Sequence, residues 1–211
     1  MQVKLITYPL DAAKLCGSAA AVCYDSPNYE SALKHSAGAG HTSVLEHASY
    51  TFEIEGISRA CLAQLTRHRL ASFSVQSQRY VKLDNPEFVV PESIKKCDLY
   101  DNAMWCMKHC ISIYKKLIEA GVPAEDARYV TPQAIPTKLV MTMNARELLH
   151  FFSLRTCNRA QWEIRQMADK MLKICKEVSP EIFCNAGPGC VTGGCHEEKP
   201  CGHPRNKTEW D

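Results

Sequence analysis

Residues 98–120 carry the longest regular pattern in the chain, with Leu99, Ala103, Met107, Cys110, Tyr114 and Leu117 at helical spacing and Gly121 just beyond. That spacing predicts a long amphipathic helix with its stripe in the core and a glycine stop. A second helical pattern, over 161–178, runs through Trp162, Met167, Met171, Ile174 and Val178. Elsewhere the period falls to two: Ala48, Tyr50, Phe52 and Ile54 alternate as on a half-buried antiparallel strand that Gly56 ends. Residues 1–6 and 138–143 also read as strands, and 10–24 as an alanine-rich helix closed by the turn Asp25-Ser26-Pro27-Asn28. The expected class is α+β, an antiparallel or mixed sheet packed with long helices. At 211 residues the chain suits one domain over 1–183, followed by a glycine-, proline- and cysteine-rich tail over 184–211.

Charge narrows the partners. Twenty-five basic and 23 acidic residues leave +2, too little for a global polyanion-binding field, so an anion must be held locally. That balance argues against a nucleic-acid-binding module. No apolar run approaches a membrane span, and the start MQVKLITYPL lacks the features of a signal peptide, so a cytoplasmic location with no membrane partner is expected. Of 12 cysteines, eight are scattered through the body, which fits buried free thiols in a reducing compartment.

The stretch RHRLASFSVQSQRY, residues 67–80, suits no plain hydrophobic core. Before it, residues 58–65 have helical spacing, with Ser58 placed as cap and Ile57, Cys61 and Leu65 on one stripe. Arg67, His68 and Arg69 then meet the negative end of that helix, and residues 73–76 look extended. Ser77, Gln78 and Arg79 follow at once, where amides, a hydroxyl and a guanidinium either converge on an anion or planar heterocycle or form a solvated basic turn. Upstream, the flexible lead 37–40 precedes His41-Thr42-Ser43-Val44-Leu45-Glu46-His47. Its spacing is not that of a helical zinc motif, and Glu46 with His47 also reads as a structural pair.

Downstream, Pro123 opens a short helix over 124–128 on which Arg128 is spaced to pair with Glu125. Asn144 followed by Glu147 resembles a capping box at the start of the next helix. Arg155, Arg159 and Glu163 share one face if that helix continues.

The pattern Arg67-His68-Arg69, seven residues, then Ser77-Gln78-Arg79 resembles the signature of the flavin-dependent thymidylate synthases, and the likeness extends over roughly residues 23–182. It implies FAD as cofactor, dUMP as substrate, methylenetetrahydrofolate and NADPH as co-substrates, and a homotetramer with active sites shared between subunits. By the same resemblance, Ser77, Arg79 and Arg155 take the catalytic positions. Gln64, Gln76, Ser77, Gln78, Arg79, Arg128 and Arg155 hold the nucleotide. Ser43, Glu46, Arg67, His68, Arg69, Asn144, Arg146 and His150 face FAD, with His41 on the nicotinamide and folate side. The chain departs from the family pattern at Val75, where relatives carry a polar residue, and Gln76 comes next.

Methylating uracil C5 needs an electron-rich carbon, and no body cysteine lies beside the signature to supply it by thiolate addition. The family's route uses reduced flavin instead. In the tail, Cys184, Cys190, Cys195 and Cys201, with His196 and His203, offer a zinc site without paired knuckles, or else free thiols. That motif leaves a second reading open, a zinc-dependent regulatory or interaction protein.

Overall fold

A computed structural model describes residues 1–195 and 197–210. In chain order its elements are β1 (Gln2–Thr7), α1 (Ala12–Tyr24), α2 (Tyr29–Gly38), β2 (Ser49–Ser58), α3 (Arg59–Leu65), β3 (Ala71–Val75) and α4 (Glu92–Lys95), followed by α5 (Tyr100–Glu119), α6 (Ala124–Ala127), β4 (Pro136–Asn144), α7 (Ala145–Arg155), α8 (Trp162–Val178), α9 (Pro180–Phe183) and α10 (Gly189–Thr192). The strands form a four-stranded sheet in the order β1-β2-β4-β3. Ala145 N–H donates to the Ala48 carbonyl, and the Thr51 and Thr142 hydroxyls meet at 2.9 Å, so β2 and β4 run antiparallel. Alternation is visible in the burial of Tyr50, Phe52 and Ile54 on β2 and of Leu139, Met141 and Met143 on β4. The class is α+β.

The chain divides into two compact units, each discontinuous in sequence. The first comprises Met1–Gln2, Ile54–Thr66 and Ser74–Leu139. Ile57, Cys61 and Leu65 lie fully buried there, as their spacing predicts, and the Ser58 hydroxyl caps α3 by accepting from Cys61 N–H at 3.0 Å. Gly56 does not end β2; the strand continues through it to Ser58, with Gly56 at φ +75°, a conformation that favours glycine. On α5 only Ile111 and Tyr114 are buried, whereas Leu99 ahead of the helix and Trp105 on it are mostly exposed. The expected core stripe is therefore a half-covered one.

The second unit comprises Val3–Glu53, Arg67–Phe73 and the chain from Val140 onward. Its core is aromatic, with Tyr50, Phe151, Phe152 and Phe183 in edge-to-face contacts and the Tyr50 hydroxyl donating to Ser179 Oγ at 2.8 Å. Helix α8 buries Ile164, Met167, Met171, Leu172 and Cys175 against it. Two expectations fail here. Residues 29–38 form a helix, capped by the Asn28 side chain accepting from Ser31 N–H, so Ala37 and Gly38 of the expected flexible lead 37–40 are helical. Helix α7 stops at Arg155, so Arg155, Arg159 and Glu163 do not share one helical face. Among the described residues, no helix is long and apolar enough to cross a membrane.

Candidate functional site

In the first unit, a cavity of about 450 Å³ is lined by Arg59, Gln78 and Arg128, with Leu62, Tyr129 and Thr131 among its walls. Arg59 opens α3, which fixes its stem, and its Nη2 donates to the Gln76 carbonyl at 3.0 Å. Its Nε is buried without a partner, and so is Gln78 Nε2. Burial, and secondarily the positive charge of Arg128, holds the Arg59 pKa below the ordinary guanidinium value. Two cations beside unpaired buried donors form an arrangement that an anion or a carbonyl-rich ring would relieve.

The neighbouring signature residues are tied differently. Arg128 Nε donates to the backbone carbonyl of Glu125 at 3.0 Å, not to its carboxylate. That carboxylate accepts instead from Arg79 Nε at 2.6 Å, in an exposed pair. Ser77 Oγ accepts the Arg79 backbone N–H at 3.2 Å, and Gln76 N–H donates to the Lys138 carbonyl. Val75 closes β3, half-buried, and Gln64 is half-buried on α3. The structure therefore gathers Gln78 and Arg128 around one cavity, while Gln64, Gln76, Ser77 and Arg79 are not among its lining residues.

The second unit holds the residues assigned to the flavin, with Arg155. His68 is buried, and its Nδ1 meets the Glu147 carboxylate at 3.0 Å while Arg155 Nε donates to its Nε2 at 3.0 Å. A guanidinium donating to Nε2 requires that nitrogen to be the acceptor, so the ring proton resides on Nδ1 and points at Glu147. Burial lowers the His68 pKa; the Glu147 hydrogen bond opposes this and the Arg155 charge reinforces it, with a net downward shift. The imidazole is therefore neutral near pH 7.

His68, Glu147 and His150 are also the one set of three potential ligand atoms within 4.8 Å of one another among the described residues. With both His68 ring nitrogens already engaged, the set reads as a hydrogen-bonded relay, not a metal centre. Glu147 was visible in sequence only as a cap partner. Asn144 Oδ1 does accept Glu147 N–H at 2.9 Å, but the carboxylate turns to His68, so the box is one-sided.

Around this relay, Arg146 pairs with Glu46, and His41 Nδ1 lies 2.8 Å from the Tyr24 hydroxyl. Glu46 thus has Arg146, not His47, as its charged partner. Ser43, Arg67, Arg69 and His150 are exposed. Hydroxyl, guanidinium and imidazole donors on the surface beside a rigid neutral histidine fit the diphosphate and heterocycle of a dinucleotide. Sequence reasoning missed Arg59 and Glu147; the signal for each was only a helix-start position.

In the tail, Cys190, Cys195, Cys201 and His203 line a second cavity together with Cys157 from the α7–α8 connection, and Cys184 is not among its walls. His196 lies outside the described residues.

Fold and cavity together define an α+β protein with the chemistry to hold an anionic ligand. Comparison with known proteins makes the class specific. The family model for thymidylate synthase complementing protein matches residues 4–181. A flavin-dependent thymidylate synthase of Geobacter sulfurreducens is 47% identical over 215 residues, covering 93% of this chain and 91% of that protein. Those of Pyrococcus furiosus, at 52% over 77% of this chain and 70% of the relative, and Clostridium tetani, at 40% over 93% and 91%, are also similar. The chain belongs to the flavin-dependent thymidylate synthase family and is accordingly an enzyme of the thymidylate synthase class.

Proposed function

We propose that this enzyme reductively methylates dUMP to dTMP, with methylenetetrahydrofolate giving the carbon and NAD(P)H the two electrons, without a cysteine nucleophile. The observation that carries this reading is the pair of unpaired buried donors, Arg59 Nε and Gln78 Nε2, beside Arg128 in a cavity of about 450 Å³. Such donors suit a nucleotide's phosphate and uracil carbonyls. Ser77, Arg79, Gln64 and Gln76 complete the nucleotide group of this unit, and Arg155 is assigned to the nucleotide bound by a neighbouring subunit of the tetramer. A guanidinium at a ring carbonyl would stabilise the negative charge that develops as C5 becomes nucleophilic, a contribution of about a hundredfold in rate for one donor. Bound FAD would supply the reducing equivalents. Ser43, Arg67, Arg69, Arg146 and His150 would hold it, and the His68 relay, neutral and pinned at both nitrogens, would position its neighbours Arg67 and Arg69 against helix α7, which carries Arg146 and His150.

Cysteine chemistry gives independent support. Burial pushes the Cys16 thiol up to about 11 and raises Cys175 further still, so neither is a thiolate at neutral pH. The exposed apolar residues Leu99 and Trp105 suit a covered face in a cytoplasmic homotetramer. The test is the visible spectrum of the protein with FAD during titration with dUMP. A saturable shift of the flavin bands is expected, followed by turnover once methylenetetrahydrofolate and NADPH are added. Failure to bind either ligand would sink the assignment.

A further inference from the structure

The cavity of about 410 Å³ in the second unit is walled by Cys157, Cys190, Cys195 and Cys201, with Pro188 and Pro200. Three of these thiols come from the tail and one from the connection between α7 and α8, more than thirty residues earlier in the chain. All four are free thiols. Two of the sulfurs receive backbone amides: His203 N–H points at Cys201 Sγ at 3.4 Å and Arg205 N–H at Cys190 Sγ at 3.4 Å. An amide donated to sulfur from two residues beyond the cysteine, with Gly202 between them at φ +75°, is a backbone cradle suited to a sulfur carrying negative charge.

The cradle is fixed from outside. Asn158 Nδ2 donates to the His203 carbonyl at 2.7 Å, and Arg159 pairs with Glu197. Arg205 reaches Asp169, Glu209 and the Thr156 carbonyl while stacking on Trp210. Burial works against the charge of Arg205, but the Glu209 and Asp169 hydrogen bonds outweigh it and hold its pKa above the ordinary guanidinium value. These contacts tie a glycine- and proline-rich segment into a wall around four sulfurs. Neither the nucleotide group nor the flavin group uses it.

The sulfurs stand wider apart than a single metal ion holds its ligands. Tetrahedral zinc with sulfur ligands at about 2.3 Å draws them to roughly 3.8 Å from one another. No three of these four meet even a 4.8 Å limit. They stand around a space large enough for several atoms, and four thiolates around a multi-atom centre are the ligand set of an iron–sulfur cluster. We propose that Cys157, Cys190, Cys195 and Cys201 hold an iron–sulfur cluster that ties the tail to the α7–α8 connection. On ligation each thiol gives up its proton, and the 3.3 Å contact of Cys201 Sγ with the His203 carbonyl ceases to be a hydrogen bond.

The experiment uses the full chain, purified anaerobically and then incubated with ferric iron, sulfide and dithiothreitol. After desalting, iron, acid-labile sulfide, zinc and flavin are measured per chain, with Mössbauer spectra of iron-57-loaded protein. Iron and sulfide in matching amounts are expected, with a cluster spectrum. Cys157→Ser and Cys195→Ser should each lower bound iron about tenfold or more. Cys184→Ser should keep it, because Cys184 is not among the residues that line the cavity. If Cys157→Ser does not fold, Cys195→Ser and the wild-type metal content still decide. The proposal is overturned by a protein that takes up no iron and sulfide, by zinc alone, by disulfides among the four cysteines, or by loss of iron in Cys184→Ser with retention in Cys157→Ser.

Discussion

Around Arg59 and Arg128 two buried donors have no partner, whereas around His68 both ring nitrogens have one. The two regions carry similar residue types, and the difference separates two jobs. A buried donor that the chain itself leaves without an acceptor is free to serve one from outside, so the arginine cavity is suited to an external ligand. The His68 relay is satisfied internally by Glu147 and Arg155, so its contribution is to rigidity and position. Mutations should respond accordingly: ligand affinity should collapse in the first region, and stability should fall in the second.

The largest expected effect is on the nucleotide. Arg128→Ala should weaken dUMP binding by about 10–100-fold, the worth of a charge-assisted hydrogen bond. The flavin spectrum and thermal midpoint should stay near wild type, since among the described residues the Arg128 side chain donates only to the Glu125 carbonyl. Titration of FAD-loaded protein with dUMP measures it. A variant with unchanged dUMP affinity would break the contrast.

Next comes the relay. Glu147→Leu leaves the His68 Nδ1–H buried and unpaired, a cost of about 2 kcal/mol, or a fall in Tm of about 4–8 °C for a chain of this size. Glu147→Gln keeps an acceptor and should lose less. Calorimetry on both variants separates a lost hydrogen bond from lost packing, and equal losses would remove the relay's claim to be a polar device.

How far these two regions were legible in the sequence depends on the distance over which information had to travel. Helix α3, its Ser58 cap and the alternation of β2 are local consequences of spacing, and they stand where the periodicity puts them. Helix α2 was missed because its residues YESALKHSAG show no apolar stripe; only Ala32 and Ser36 are buried, and the cap at Asn28 was the one usable signal. The His68–Glu147 contact spans 79 positions and that of Arg155 with His68 spans 87, separations no local pattern encodes. The exchange of Cys184 for Cys157 in the sulfur-lined cavity has the same cause. The signature located the chemistry through resemblance, and the fold supplied the partners.

A smaller effect follows from protonation. The His68 pKa is lowered from its usual 6.5, mainly by burial. Between the folded value and 6.5 the unfolded chain binds a proton that the folded one does not, so stability falls as pH drops through that window and is full above it. Denaturant unfolding at pH 7.5 and pH 5.5 should show a steeper loss in wild type than in His68→Gln. Parallel losses would mean that His68 is not a buried neutral group.

The smallest effect tests the boundary between the two behaviours. Arg79 is a signature residue whose Nε is occupied by Glu125, yet both side chains are about half exposed, at 53% and 45%. An exposed pair of this kind contributes about 0–1 kcal/mol, so Glu125→Gln should leave stability nearly unchanged. If Arg79 serves the nucleotide, the carboxylate competes with dUMP for the same guanidinium, and its neutralisation should tighten dUMP binding by a few fold, about 0.5–1 kcal/mol. Weaker dUMP binding would instead make Glu125 the group that orients Arg79, and would move Arg79 from the open class to the internally satisfied one. Isothermal titration of Glu125→Gln beside Arg79→Ala distinguishes the two, because competition predicts opposite signs and orientation predicts the same sign.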